Sequence, residues 1–554
     1  MKIYIKIGLL ILMGISFSSC GDFLDEEPPT FISGENYYKT AGDARTGVDG
    51  AYESLNNIYS RWWPIIDVYT DDLVTRTQGN SATNDFGTHT VTASNSLFEG
   101  YGMYTIYWTG IARANNVLAY VPDIEMDETE KNIILGEARA LRAFFYYNLA
   151  RAYGDLPLIV NAVTTESDFM KPRSSVDDIY NQIIIPDLKF AENNCRDGLH
   201  DGHISKWTAK LILSEVYLTR AGWRRTSQGT FVQGDQSNWA LARDKAKEVI
   251  DNSPHGLNKD EVINGANVTP AYGVAWDKNN VFSKESMLEI AYVGVAGSGS
   301  WLSRECSPSS NGASYWGAGG NQPLLGEGNT GTVSVGLRFP GRPPGVGTYI
   351  PTPDLYDAFE SGDERRDWSI MTRYDTSDGA SYVCQPTMRK FVDIDYFLGL
   401  DGTSFQYTNA NTILYRYADA LLIYAEAQNE ADNGPNVDAY NAVNEIRNRA
   451  GLGDLTAGLS QVDFREAVWK ERRCEFNGES KRKFDLIRTN RLATETATIN
   501  ILWTSAQGSL AVYRNCYSAV NGSIPWPDNE WLWPIPQSEI ELNAKNGWVQ
   551  NKGY

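Results

Sequence analysis

Histidine is scarce, with four in 554 residues. Two of them stand in His200-Asp201-Gly202-His203, but no HExxH or comparable ligand set accompanies them, so no metal site is expected. The turn Asp375-Thr376-Ser377-Asp378-Gly379 carries oxygen ligands but lacks a full calcium loop. Cysteine is sparse as well. Beyond Cys20 there are Cys195, Cys306, Cys384, Cys474 and Cys516, scattered and without a CxxC, which excludes a disulfide scaffold. No GxSxG occurs, so no nucleophile elbow is present. Basic charge is in deficit: the net charge is −20, and the one basic cluster, Arg472 to Lys483, is interrupted by acidic residues. No nucleic-acid partner is expected on that ground. After the first 20 residues no apolar run approaches the 18 or more of a membrane-spanning helix. Gly326-Glu327-Gly328-Asn329-Thr330-Gly331 matches GxGxxG but is followed by Thr332-Val333-Ser334-Val335-Gly336, which is not helical, so a loop is expected there and no cofactor.

What is present begins at the N-terminus. Lys2 and Lys6 precede an 11-residue apolar run, Ile7 to Phe17, too short to span a bilayer and matching the core of a secretory signal. Ser18 and Ser19 lead directly into Cys20. The pattern resembles a bacterial lipoprotein signal, with Cys20 the lipidated residue. The alternatives are an ordinary cleaved signal with a chance cysteine and a retained helical anchor. Residues 20–40 then form an acidic tether, stiffened at Pro28-Pro29.

Aromatics are abundant: 16 Trp and 31 Tyr. Helical pattern covers Ala41 to Asn57, Tyr101 to Tyr120, Glu128 to Tyr153, Ser205 to Ala221, Trp239 to Asn252, Tyr415 to Ala431, Val437 to Ala450 and Phe464 to Glu475. In Glu128 to Tyr153, Ile134, Ala138, Leu141, Phe145, Leu149 and Ala152 recur on one face, and Gly154 and Pro157 end the helix. Successive amphipathic pairs with small residues at their crossings resemble tetratricopeptide units, although the spacing is not a regular repeat of about 34 residues. Two loop-rich stretches interrupt them, 61–98 and 261–410; Met287 to Val293 in the second has strand character. The Pro- and Trp-rich tail, Trp526 to Tyr554, is expected to lie over the helices. The expected organisation is therefore 1–19 signal, 20–40 tether, 41–260 helical body with binding loop 61–98, 261–410 insertion and 411–554 C-terminal helices and tail. The class is mostly α with a loop-rich, partly β insertion.

Several stretches together resemble the SusD/RagB family of surface nutrient-binding lipoproteins of Bacteroidetes. They are Cys20-Gly21-Asp22-Phe23-Leu24-Asp25, Arg139 to Leu158, Leu414 to Ala427, Glu471-Arg472-Arg473-Cys474-Glu475-Phe476, Lys481 to Arg488, Trp533-Pro534-Ile535-Pro536 and Gln550 to Tyr554. Lys552, Ala544 and Lys483 depart from it, the family more often having Pro, Pro and an aromatic there. The resemblance implies a tetratricopeptide-like body, no catalysis, an outer-membrane, cell-surface location and a partner, a SusC-like TonB-dependent transporter over which the lipoprotein sits as a lid.

Glycan binding needs flat aromatic faces for sugar rings and planar polar groups for hydroxyls. Trp301, Tyr315 and Trp316, set among Gly297, Ser298, Gly299, Gly317, Gly319 and Gly320, meet the first need. Asp72, Arg76 and Phe86, with Trp62 and Trp63 nearby, are the candidates in the first loop. For each aromatic the competing reading is packing under its own loop; for Asp72 and Arg76 it is a local salt bridge or cap. The charges from Glu471 to Arg488 are expected to form a structural ion-pair network. The functional expectation is non-catalytic binding of oligo- or polysaccharide and delivery to the transporter. The alternatives are a peptide-binding lid of a RagAB-like transporter and a surface glycoside hydrolase, whose two carboxylates, roughly 5–10 Å apart, nothing in the sequence picks out.

Overall fold

The computed structural model describes residues 34–61, 63–75, 81–98, 102–262, 268–295, 297–308, 322–323, 333–339, 345–376, 381–393, 407–499 and 526–554. Its body is a stack of helices: α1 (Ala41–Tyr59), α2 (Met103–Tyr120), α3 (Glu128–Tyr153), α4 (Ile185–Asn194), α5 (Lys206–Ala221), α6 (Asn238–Asn252), α7 (Tyr417–Ala431) and α8 (Val437–Arg449). Each packs on the next in chain order, and α9 (Gln461–Glu475) lies against α7 and α8. The chain leaves the stack after α6 and rejoins it at α7, which packs on α6 as the next layer. The insertion is thus a detour from an otherwise continuous stack.

Local chemistry sets the helix limits. Thr40 caps α1 reciprocally: Asp43 N–H donates to its hydroxyl at 3.2 Å, and its own N–H donates to Asp43 Oδ2 at 2.8 Å. Helix α3 starts at Asp127 and stops at Gly154, where φ is 79°. The apolar face expected for α3 is buried, but so are Arg142, Tyr146, Tyr147 and Asn148 around it. This helix lies inside the body, and periodicity alone marked only one of its faces. At the α2–α3 crossing a Cβ on Gly110 would come 2.4 Å from the Phe145 ring, so the close approach depends on glycine.

The insertion carries more strand than its composition suggests. Four strands pair in the order β4 (Val333–Phe339), β6 (Ile370–Thr376), β7 (Ser381–Met388), β3 (Gln322–Pro323); β4 runs parallel to β6 and the other pairs are antiparallel. Helix α7 begins at Tyr417 and not at Tyr415, because β8 (Thr412–Arg416) pairs antiparallel with β2 (Ser286–Ile290). Arg416 N–H then donates to Asp419 Oδ2 at 3.0 Å at the helix start.

The tail lies over the helices. Trp533 N–H donates to Ala152 O at 2.7 Å, and Asn551 Nδ2 donates to Tyr153 O at 2.9 Å. Lys483, where an aromatic is more usual, is buried with its ammonium 5.2 Å from the Trp526 ring and 5.0 Å from the Trp533 ring. The lysine therefore packs as a cation on two indoles, and burial pushes its pKa down to about 8.

Candidate functional site

Beneath the insertion, the charged signature forms a buried lattice. Arg365 donates to Glu471 at 2.6 Å and to Glu475 at 3.0 Å. Glu475 is also paired with Arg416 and Arg449. Arg416 Nε donates to Glu479 Oε2 at 3.0 Å, and Lys390 Nζ to Glu479 Oε1 at 2.8 Å. Burial opposes the charge on Glu475, but Arg449, Arg416 and Arg365 outweigh it and hold the carboxyl well below its ordinary value. The expected structural network is present, but most of its partners are drawn from distant segments, the Asp485–Arg488 pair being one that spans a single helical turn. Isolated charges buried to this degree are costly, and pairing at this density keeps them ionised.

On this base three chain segments converge. The end of α1 supplies Ser60 and Arg61, and Trp301 N–H donates to Ser60 O at 2.8 Å. Ser300 and Thr408 exchange backbone hydrogen bonds at 2.9 Å, which brings the Tyr407 ring 5.2 Å from that of Trp301, edge to face. A Cβ on Gly299 would lie 2.6 Å from Tyr407 Cβ, so glycine permits this approach. Glu305 is buried and accepts from Arg61 Nε at 3.0 Å and from the Thr348 hydroxyl. The Trp301 ring is half-buried, with the Arg61 guanidinium carbon 4.4 Å and that of Arg304 5.4 Å from its centroid. Strand β1 (Leu73–Thr75) ties the first loop to the insertion by antiparallel pairing with β5 (Tyr349–Pro351), Val74 facing Ile350. The result is an indole at the surface, flanked by a tyrosine and two guanidiniums and anchored from below by ion pairs.

The other expected site residues lie elsewhere. Asp72 is 1% exposed, and its carboxylate accepts from Arg473 Nε at 2.7 Å. Phe86 is 6% exposed, its ring 5.6 Å from that of Phe98 and 5.8 Å from that of Trp533. A ligand arriving from solvent meets neither side chain in this arrangement: the salt bridge of Asp72 is not local but reaches Arg473 of α9, and Phe86 packs on the tail as well as on its own loop. Arg76, Tyr315, Trp316, Trp62 and Cys20 lie outside the described residues, as do 326–331. His200 is buried: Nδ1 lies 2.9 Å from His203 O, and Nε2 accepts from Glu289 N–H at 2.9 Å. Both ring nitrogens are used by backbone groups, and burial lowers the pKa. Sequence reasoning missed Arg61, Arg304 and Tyr407. Arg61 and Tyr407 reach Trp301 only through tertiary pairing, whereas Arg304 stands three residues on, in the short helix Leu302–Cys306, where its spacing is a local signal.

Comparisons with known proteins agree with this architecture. A family model described as the SusD family matches residues 356–554, and one described as starch-binding associating with outer membrane matches residues 22–218. The chain is 26% identical to SusD-like protein P2 of Formosa agariphila, over all of both chains. Among solved structures, a SusD superfamily protein from Parabacteroides distasonis is 24% identical with a TM-score of 0.71, covering 93% of this chain and 99% of that one. Surface glycan-binding protein A from Bacteroides thetaiotaomicron, solved with laminarihexaose, is 20% identical with a TM-score of 0.67, covering 93% of this chain and 100% of that one. The structural likenesses concern the fold: a mostly α body with a partly β insertion. The chain belongs to the SusD/RagB family.

Proposed function

We propose that this chain is a non-catalytic, surface-anchored binder of oligosaccharides, and that it delivers them to a SusC-like TonB-dependent transporter in the outer membrane. The observation that carries the reading is the convergence of Trp301, Tyr407 and Arg61 from three chain segments onto one surface. An indole face suits the C–H surface of a pyranose, and guanidinium N–H groups suit its hydroxyls. The family supports the reading, since a relative of this fold was solved with a glycan bound. Trp316 and Tyr315 remain proposed contributors from the same insertion, with Arg76 from the first loop. Cys20 is the proposed lipid attachment, leaving the body free at the cell surface.

The experiment is a calorimetric titration of the purified protein against plant, host and microbial glycans, with peptides alongside. Binding of at least one glycan class, without release of product, supports the reading. Peptide binding in the absence of any glycan binding makes the ligand assignment wrong. Product release from a polysaccharide contradicts the absence of catalysis.

A further inference from the structure

The two arginines at Trp301 differ in one respect. Arg61 is neutralised locally: its Nε is 3.0 Å from Glu305, which also accepts from Thr348. Arg304 is half-buried, and no carboxylate among the described residues pairs with it. Among the described residues its buried Nε has no hydrogen-bond acceptor, and its guanidinium carbon lies 5.4 Å from the centroid of the Trp301 ring. Arg365 in the insertion, Arg416 and Arg449 in the helical body, and Arg473, Arg482 and Arg488 in the signature are bound to carboxylates, while Arg389 in the insertion packs 3.7 Å over the buried Trp368 ring. In a chain of net charge −20, Arg304 puts a guanidinium with no carboxylate partner among the described residues beside the half-exposed candidate stacking ring.

From this juxtaposition we infer that the site takes an anionic glycan, in which a uronate carboxylate or a sulfate group bonds to Arg304 while the sugar ring lies on Trp301. A guanidinium presents a planar fork of donors that matches either group, and charge-assisted bonds of this kind are roughly twice as strong as neutral ones. The acidic body as a whole repels such a ligand at long range, so the attraction is local and is weakened by salt. The inference rests on the glycan-binding reading above and names its ligand class.

The test is a titration of the full-length protein and its Arg304→Gln variant with three sets of oligosaccharides matched in length: neutral, uronate-containing and sulfated. The wild-type protein is expected to bind at least one charged set about tenfold more tightly than the neutral set, as one charge-assisted bond warrants. In Arg304→Gln the charged-to-neutral ratio should fall below about threefold, and added salt should narrow the wild-type ratio. The uronate and sulfated arms decide which anion is recognised. Equal wild-type affinity for neutral and charged sets overturns the inference while leaving glycan binding intact. So does a ratio unchanged by Arg304→Gln. Failure of every oligosaccharide to bind overturns the glycan-binding reading itself, and this inference with it.

Discussion

The guanidinium of Arg473, in the last turn of α9, donates from Nε to Asp72 Oδ1 at 2.7 Å across 401 residues of chain. Its second nitrogen donates to Asp71 O at 2.9 Å, while the Asp71 carboxylate accepts from Arg482 Nε at 2.9 Å and Nη2 at 2.7 Å. Burial opposes the Asp71 charge, but Arg482 and Arg473 outweigh it and hold the pKa down to about 2. The same segment continues into β1, which pairs with β5 of the insertion. The C-terminal signature therefore fixes the ground on which the loop region rests.

Removing one partner exposes that dependence. Arg473→Met leaves the Asp72 carboxylate buried without its principal counter-charge, and loss of one side of a buried pair costs about 3–5 kcal/mol. Urea denaturation should show a lowered midpoint of that size. The double variant Asp72→Asn, Arg473→Met should recover part of the loss, because the unpaired charge is gone.

Phe86 separates packing from binding. Its ring lies among Phe98 and Trp533, away from Trp301. Phe86→Ala is expected to cost about 3–5 kcal/mol in stability, read by thermal or urea unfolding. Affinity for ligand, corrected for the folded fraction, should stay at the wild-type value.

Much of the helical body was legible in the sequence. The period in Glu128 to Tyr153 and its stop at Gly154 match α3, and the helix breakers Gly434 and Pro435 lie between α7 and α8. What was not legible depends on distance in the chain. Asp72 and Phe86 sit in a loop-like composition, and the arginine and indole that bury them come from hundreds of residues away. Thr412–Arg416 runs into a helical pattern, and only its pairing with Ser286–Ile290 makes it a strand. Trp301 was visible as an aromatic among small residues, and Arg304 three residues on lay within local reach of it, whereas Arg61 and Tyr407 gained meaning from the fold.

Asp67 gives a pH signature. It is fully buried; burial first, and then the neighbouring Asp72 charge, push its pKa up to about 7 from 3.8, against the Lys483 N–H bonded to Oδ1 at 3.0 Å. Between pH about 4 and about 7 the folded chain keeps a proton there that the unfolded chain has released. Stability from this group is therefore full below pH about 4 and is lost as pH rises through about 7. The loss is on the order of a few kcal/mol. Asp67→Asn keeps an acceptor for the Lys483 N–H but cannot ionise. Its stability should vary less than wild type across this range when unfolding is followed in urea at a series of pH values.

The anchor and the site are separable on this account. Cys20→Ala should abolish membrane retention, measured by cell fractionation, while the released protein keeps its affinity for ligand in solution. Loss of both together would mean that the tether contributes to the site.

The central claim, that Trp301 and its neighbours form a glycan site, is tested most directly by calorimetry of wild type and Trp301→Ala against the same glycan panel. At least one glycan should bind the wild-type protein. Trp301→Ala should weaken that binding by more than about 1 kcal/mol, as loss of ring stacking does in the comparable case of nucleic-acid bases, with the unfolding midpoint little changed. Equal affinity for that glycan in the two proteins contradicts the claim.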